Sequence, residues 1–139
     1  MKGKFLICDS AASNWGKTST LTELIGLMKE KNYLCDLCEE CGQDICAVFK
    51  YADDVTVAVC SAGDPGSCAA EKLIEYSQKG VDIIVCAART HGSTVDNVMK
   101  LEEYERIWFR NFSGEPSTVQ ILNETSAEAI LSLIDKLSK

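Results

Sequence analysis

The chain has 139 residues, of which 46% are hydrophobic and 25% are charged, and its formal net charge is −7. This composition is typical of a soluble globular protein, and the length suits one compact domain, so a single domain over residues 1–139 is expected. The acidic excess argues against a sequence-independent nucleic-acid surface, which needs clustered lysine and arginine side chains, and no run reaches the roughly 18 apolar residues of a membrane span.

The predicted elements begin with a short apolar strand over residues 5–8, which ends before Asp9. This run is too short for the apolar part of a signal peptide, so we expect a cytoplasmic protein with no membrane partner. A long helix follows, because apolar residues recur at i, i+3, i+4 and i+7. These residues are Leu21, Leu24, Ile25 and Met28.

The segment between this strand and this helix fits the pattern [Ala or Gly]-x-x-x-x-Gly-Lys-[Ser or Thr]. The matching residues are Ala11, Ala12, Ser13, Asn14, Trp15, Gly16, Lys17 and Thr18. The segment resembles the Walker A motif of P-loop NTPases. Such a loop turns successive backbone N–H groups inward, and the helix N-terminus adds partial positive charge, so the segment predicts a phosphate-binding site.

The resemblance implies a role for each side chain around this loop. Gly16 allows close approach of the backbone, Lys17 reaches the β and γ phosphates, and Thr18 holds Mg²⁺. Ser19 faces the α phosphate. Ala11 stands where glycine is commoner, and Ala12 stands where the deviant loops of partitioning ATPases carry a lysine, so that subgroup is disfavoured.

The next stretch predicts a β-hairpin. Residues 33–44 are acidic and rich in cysteine with no helical period, so they are interpreted as a loop or an irregular strand. Residues 45–51 alternate between the two sides with a period of two. After the turn residues 52–54 comes a more buried strand over 55–60, and the two strands form the hairpin.

The second half of the chain alternates between helices and strands. The predicted helices cover 67–79, 94–103 and 127–137, and the predicted strands cover 81–87, 106–110 and 118–122. The run from Thr125 to Glu128 fits a capping box for the last helix.

The alternation predicts an α/β fold: a three-layer sandwich with a mainly parallel sheet of about six strands, helices on both faces and one β-hairpin, as in P-loop NTPases. Ligands of such sheets bind beyond the carboxyl ends of the strands. The loops expected to converge at that edge are residues 11–18, 61–67, 89–92 and 123–126.

Asp64 follows an apolar strand, as the Walker B aspartate does, and its strand is expected to place it beside the phosphate loop, where it orders Mg²⁺. The order of elements also resembles the small GTPases, whose second switch has Asp-x-x-Gly, but here Asp64-Pro65-Gly66 is one residue short. The alternative is that these three residues form only a turn.

Two further loops carry candidate site residues. Arg89 follows the central strand and is a candidate contact for phosphate or an anionic substrate, whereas His91 is the weaker candidate for acid–base work. Residues 124–127 echo the guanine-side loop of small GTPases. The chain has no Asn-Lys-x-Asp segment to read a guanine edge, so ATP is favoured over GTP.

The chain contains eight cysteines, and four of them offer a rival interpretation. Cys35, Cys38, Cys41 and Cys46 have the spacing C-x₂-C-x₂-C-x₄-C, which is close to zinc and iron–sulfur spacings. Cys46 lies in the alternating strand, so we predict that this arm is not a structural metal site, and metal binding remains the alternative. Three other cysteines lie in apolar runs and are interpreted as small buried hydrophobes. These are Cys8, Cys60 and Cys86.

The function that these residues favour is binding of a nucleoside triphosphate with Mg²⁺. Lys17 and Asp64 are the candidate catalytic residues if the nucleotide is hydrolysed or its γ-phosphoryl group is transferred. A small-molecule kinase is one alternative, although the chain has only three arginines and none forms an obvious lid. A non-hydrolysing regulatory module that senses a nucleotide or a metal is another, because the sequence offers no convincing catalytic base.

Overall fold

The computed structural model describes residues 3–9, 17–31, 33–41, 44–51, 55–60, 68–87, 102–110, 112 and 114–138. The elements in chain order are β1 (Phe5–Asp9), α1 (Lys17–Glu30), β2 (Leu34–Cys41), β3 (Asp44–Tyr51), β4 (Val55–Cys60), α2 (Cys68–Gln78), β5 (Ile83–Ala87), β6 (Glu105–Phe109), a 3₁₀ turn (Pro116–Thr118) and α3 (Val119–Leu137). None of the helices in these ranges is long and apolar enough to span a membrane.

All six described strands belong to one mixed sheet with the order β2-β3-β4-β5-β1-β6. The pairs β2–β3 and β3–β4 are antiparallel, and the pairs β4–β5, β5–β1 and β1–β6 are parallel. β1 and β5 are almost wholly buried, as expected for central parallel strands that are covered on both sides. The α/β class is therefore confirmed.

Helices lie against both faces of this sheet. Side chains alternate along each strand, so Ile7 points towards α1 and α3, and Leu6 points towards α2. The two sides are referred to below as the α1/α3 face and the α2 face. The α1/α3 face is dominated by aliphatic side chains, and the α2 face contains several buried cysteines with Tyr76 and Tyr104.

Most of the predicted elements are present. The helix α1, the hairpin of β3 and β4, the helix α2 and the strand β5 are confirmed within a few residues. The stretch over 33–44 is an irregular strand, because the pairing of β2 with β3 shifts register between Cys35 and Leu37. The sheet therefore has two antiparallel hairpins rather than one. Most of the helix predicted over 94–103 lies outside the described residues.

The strand predicted over 118–122 is wrong. A 3₁₀ turn that begins at Pro116 leads directly into α3, which starts at Val119 and runs for 19 residues. Its buried positions follow a helical period and include two polar residues, Asn123 and Ser126, which the sequence had placed in a loop. The capping box at Thr125 is wrong for the same reason, because Thr125 lies inside the helix. The buried residues of α3 are Asn123, Ser126, Ala127, Ile130, Leu131 and Ile134.

Candidate functional site

The parallel strands bring their carboxyl ends to one edge of the sheet. β4, β5, β1 and β6 end there at Cys60, Ala87, Asp9 and Phe109. The helices α1, α2 and α3 each follow one of these strands, so their N-termini start at this edge. The strand ends that precede the loops 11–18, 61–67 and 89–92 therefore converge as predicted, although most of these loop residues lie outside the described ones.

The fourth loop predicted at this edge does not exist. Residues 123–126 lie inside α3, so the predicted resemblance of Glu124–Ala127 to a guanine-side loop is wrong. The connection that follows β6 instead includes Arg110, Phe112 and residues 114–118.

Helix α1 begins at Lys17, directly after Gly16, as the phosphate-loop pattern requires. Its first turn contains no acidic residue, so the partial positive charge of the helix N-terminus is not offset by a nearby carboxylate of that turn. Ser19 is exposed, and Thr20 is fully buried. The six residues Ala11, Ala12, Ser13, Asn14, Trp15 and Gly16, and the side chains of Lys17 and Thr18, lie outside the described part of the chain.

The sheet order separates the strand that precedes Asp64 from β1. That strand, β4, is separated from β1 by β5. Neighbouring strands are about 4.8 Å apart, so β4 lies roughly 10 Å from the strand that leads into the phosphate loop. Arg89 follows β5, the strand that does adjoin β1. That Asp64 lies beside residues 11–18 stays a prediction. Asp64, Arg89 and His91 themselves lie outside the described residues.

Asp9 is a buried acidic residue that the sequence analysis did not single out as a site residue. It is the last residue of β1, it pairs in register with Ala87 and Phe109, and it is fully buried. Its position shortly before residues 11–18 brings a carboxylate to the candidate site. The sequence signal that could have identified Asp9 is a charged residue at the end of an otherwise apolar strand. Aspartate is unusual at a fully buried position.

A set of buried polar groups connects α1, α3 and the segment after β6. The hydroxyl of Thr20 donates to Oδ1 of Asn123 at 3.4 Å, and the backbone N–H of Phe112 donates to the hydroxyl of Ser126 at 2.9 Å. Asn123 and Ser126 are neighbours on α3, because residues three apart lie on the same face of a helix. We call Thr20, Asn123, Ser126 and the Phe112 amide the polar bridge.

A row of four cysteines crosses the α2 face. Cys46 pairs with Cys60, and Cys8 pairs with Cys86. The pairing of Val59 with Val85 brings Cys60 next to Cys86, and the side chains of all four cysteines are fully buried. We call Cys46, Cys60, Cys86 and Cys8 the thiol row.

The thiol row behaves as part of the core. A hydrogen bond with Cys8, together with full burial, raises the pKa of the Cys86 thiol well above its usual value. A protonated, buried thiol is a poor nucleophile and a poor metal ligand, since both roles need the thiolate. The interpretation of Cys8, Cys60 and Cys86 as small buried hydrophobes is confirmed in that they are fully buried.

The cysteines of the β2–β3 arm do not share one face. Cys35 packs against the core of the α1/α3 face, Cys38 is exposed, and Cys46 lies on the α2 face. The side chain of Cys41 lies outside the described part. Within the described ranges, no group of three or more His, Cys, Asp or Glu residues is arranged to hold a metal ion. That this arm is not a structural metal site stays a prediction.

A second cluster lies far from the candidate site, near the C-terminal ends of α1 and α3. The hydroxyl of Tyr33 donates to Asp135, and its ring lies 4.8 Å from that of Tyr51. Burial and the neighbouring Asp135 carboxylate raise the pKa values of both tyrosines, so both stay protonated. An adjacent groove of about 320 Å³ is lined by Leu27, Lys31, Glu128, Leu131, Ser132 and Asp135.

Comparison with protein-family models, with curated proteins and with solved structures finds no match to this chain. A function must therefore be inferred from the residues and geometry at the carboxyl edge of the sheet.

Proposed function

We propose that the chain binds a nucleoside triphosphate with Mg²⁺ at the carboxyl edge of the sheet, with ATP favoured over GTP. The observation that carries the proposal is that α1, the next element after β1, starts at Lys17 within the run Gly16-Lys17-Thr18. The backbone of residues 11–16 holds the phosphates, Lys17 contacts the β and γ phosphates, and Ser19 faces the α phosphate. Thr18 binds Mg²⁺, Asp64 orders it, and Arg89 is a further contact for the phosphates.

The electrostatics of the edge support an anionic ligand in spite of the net charge of −7. Three helix N-termini start at this edge, and neither α1 nor α3 has an acidic residue in its first turn. Helix dipoles act within about one turn of their ends, so these local partial charges are felt more strongly at the site than carboxylates elsewhere on the surface. Glu71 in the first turn of α2 and the buried Asp9 at the end of β1 are the acidic residues that oppose them at this edge.

The sheet supports a P-loop NTPase-like architecture as the finer description of the fold. β1 lies inside the parallel part of the sheet, between β5 and β6, and helices cover both faces. Asp64 orders Mg²⁺ directly or through a water molecule, as the Walker B aspartate does.

The binding proposal is tested by calorimetric titration of the protein with MgATP and with MgGTP. Lys17→Ala should weaken nucleotide binding at least tenfold, because a charge-assisted contact to phosphate contributes about 1.5–3 kcal/mol. The matched control is Lys29→Ala, which removes an exposed lysine from the last turn of the same helix and should leave the affinity unchanged. Circular dichroism should show both variants folded. Equal affinities of the wild type and the folded Lys17→Ala variant would show that the loop is not a phosphate loop.

The role of Asp64 is tested by measuring affinity with Mg²⁺ and with EDTA. Asp64→Asn should keep metal-free nucleotide binding and lose the gain in affinity that Mg²⁺ provides. Single-turnover hydrolysis should fall with it, because Mg²⁺ neutralises the charge that develops on the transferred phosphoryl group. A Mg²⁺ effect that is identical in the variant and the wild type would return Asp64 to the role of a turn residue. Absence of hydrolysis in the wild type would favour the regulatory module over an enzyme.

A further inference from the structure

Phe112 carries an exposed aromatic ring in the segment that follows β6. Its side chain is 54% exposed, which is a large fraction for a phenylalanine. It follows β6, the strand that adjoins β1 on the side opposite to β5. On the premise of the proposed nucleotide binding, we propose that this ring is the platform on which the base of the nucleotide stacks.

The strand register places Phe112 near the phosphate loop. Phe109, the last residue of β6, pairs with Asp9, the last residue of β1. The chain continues from Asp9 into the phosphate loop and from Phe109 into the segment that carries Phe112. Three residues span at most roughly 10 Å, so Phe112 cannot lie far from this pair of strand ends.

The polar bridge also holds the backbone of Phe112 near the start of α1, through side chains of α3. The Phe112 amide donates to Ser126, and Asn123, one turn earlier on α3, accepts from Thr20 in the first turn of α1. The helix that carries the proposed phosphate site and the residue that carries the ring are therefore held by adjacent side chains of one helix. Thr20 and Asn123 are buried, so water does not compete for the hydrogen bond between them, and the bond from the Phe112 amide to Ser126 is partly buried.

Gly114 keeps the segment close to α3. A Cβ atom at this position would lie 2.8 Å from Cδ1 of Leu122 and 3.1 Å from the hydroxyl of Thr118. A larger residue at this position would require the side chains of Leu122 and Thr118 to shift. The segment is therefore anchored by the hydrogen bond at Phe112 and by close packing two residues later, which limits the entropy lost when a ligand stacks on the ring.

A base is the ligand group that suits this ring. If the phosphates lie at the N-terminus of α1, the ribose holds the base away from the phosphate chain. The base then lies to one side of β1. On the β6 side, the exposed apolar ring offers a stacking surface. Stacking accepts every base because each has a π-face, so Phe112 contributes affinity for a nucleoside without choosing between adenine and guanine.

The experiment compares MgATP, MgGTP and magnesium tripolyphosphate as titrants. Phe112→Ala should weaken both nucleotides about tenfold and leave tripolyphosphate unchanged, since stacking on an aromatic side chain typically contributes on that order. Phe112→Tyr should restore nucleotide affinity. Trp108→Ala is the matched control, because Trp108 is 47% exposed but pairs with Cys8 and so lies on the α2 face; it should change nothing.

The outcomes separate the stacking proposal from the nucleotide-binding proposal. An equal loss for tripolyphosphate and nucleotides would mean that Phe112 supports the fold of the edge and would overturn the platform. Unchanged nucleotide affinity in the folded Phe112→Ala variant would overturn it as well. A wild-type protein that binds tripolyphosphate and nucleotides equally well would retain the phosphate site and lose the platform. A wild-type protein that binds none of the three would overturn both proposals.

Discussion

The two faces of the sheet differ in the buried polar and sulfur-containing side chains that they carry. On the α1/α3 face, the buried hydroxyl of Thr20 and the amide of Asn123 are hydrogen-bonded to each other between two helices. On the α2 face, the buried polarisable atoms are the sulfurs of the thiol row, which lie on four adjacent strands. Hydroxyl and amide groups require partners when they are buried, whereas thiols behave as small hydrophobes with weak hydrogen bonds.

This difference indicates which face is connected to the candidate site. The polar bridge fixes the start of α1 relative to α3 and to the segment after β6, and those three parts surround the edge where we place the nucleotide. The thiol row ends at the same edge but has no exposed sulfur. We therefore expect mutations on the α1/α3 face to affect both stability and binding, and mutations in the thiol row to affect stability alone.

The largest effect should come from the aliphatic core of the α1/α3 face. Leu24 is fully buried on α1 among side chains from the sheet and α3. Leu24→Ala should lower the free energy of unfolding by about 3 kcal/mol, because it removes buried methyl groups and leaves a cavity. Urea denaturation measures this, with Leu24→Met, expected to cost less than about 1.5 kcal/mol, as the control. A loss as small as that of Leu24→Met would mean that the face is loosely packed.

A smaller effect is expected in the thiol row, where Cys86→Ser tests whether the sulfur acts as a hydrophobe. The serine hydroxyl needs hydrogen bonds that its surroundings of thiols and apolar groups supply poorly, so the free energy of unfolding should fall by about 2 kcal/mol. Cys86→Ala removes the sulfur without adding a polar group and should cost less. Both are measured under reducing conditions. If Cys86→Ser lowered the free energy of unfolding less than Cys86→Ala, the surroundings of the thiol row would be polar. The proposed difference between the two faces would then be wrong.

The α2 face should also make the protein sensitive to alkaline pH. The buried Tyr104 hydroxyl donates to the backbone carbonyl of Val81. Burial, and then the nearby Glu103 carboxylate, raises the pKa of Tyr104 from 10.0 to about 12. The folded state therefore holds this proton more tightly than the unfolded state does. The resulting stability is fully present below about pH 10 and is lost as the pH rises through 12.

This loss should have a slope of up to about 1.4 kcal/mol per pH unit from one group. The raised pKa of Cys86 acts in the same direction and begins at lower pH, near the usual thiol value of 9.0. Unfolding by urea at a series of pH values measures the slope, and Tyr104→Phe should flatten the part above pH 10. A slope in Tyr104→Phe equal to that of the wild type would assign the alkaline loss to other groups.

Local sequence patterns determine some elements of this fold, whereas contacts between distant segments determine others. The run from β1 into α1 was predictable, because Leu21, Leu24, Ile25 and Met28 repeat at helical spacing and all four are buried. The hairpin of β3 and β4 was predictable from its alternation and turn. The irregularity of residues 33–44 has a structural cause in the register shift of an acidic edge strand, where charged side chains are tolerated.

The failures arise where tertiary contacts override a local pattern. Val119 and Ile121 alternate with polar residues as in a strand, yet both are exposed on α3. Pro116 at the preceding turn and the helical spacing from Asn123 onwards were the signals for a longer helix, but Asn123 and Ser126 were read as loop residues because they are polar. The order of strands could not be read from the sequence, because the insertion of β5 between β4 and β1 depends on pairing between distant segments.

The smallest effect should be the coupling between Thr20 and Asn123, and it tests the α1/α3 face most directly. Thr20→Val keeps the shape but removes the donor to Asn123, so the free energy of unfolding should fall by about 1 kcal/mol, and Thr20→Ser should retain most of it. The double variant Thr20→Val with Asn123→Leu replaces both partners by apolar groups. It should therefore be more stable than the sum of the two single effects predicts, with a coupling of about 1 kcal/mol. Strictly additive effects would show that the 3.4 Å contact contributes nothing to stability. Aliphatic packing alone would then hold α1 against α3, in the way that the thiols and tyrosines pack on the α2 face.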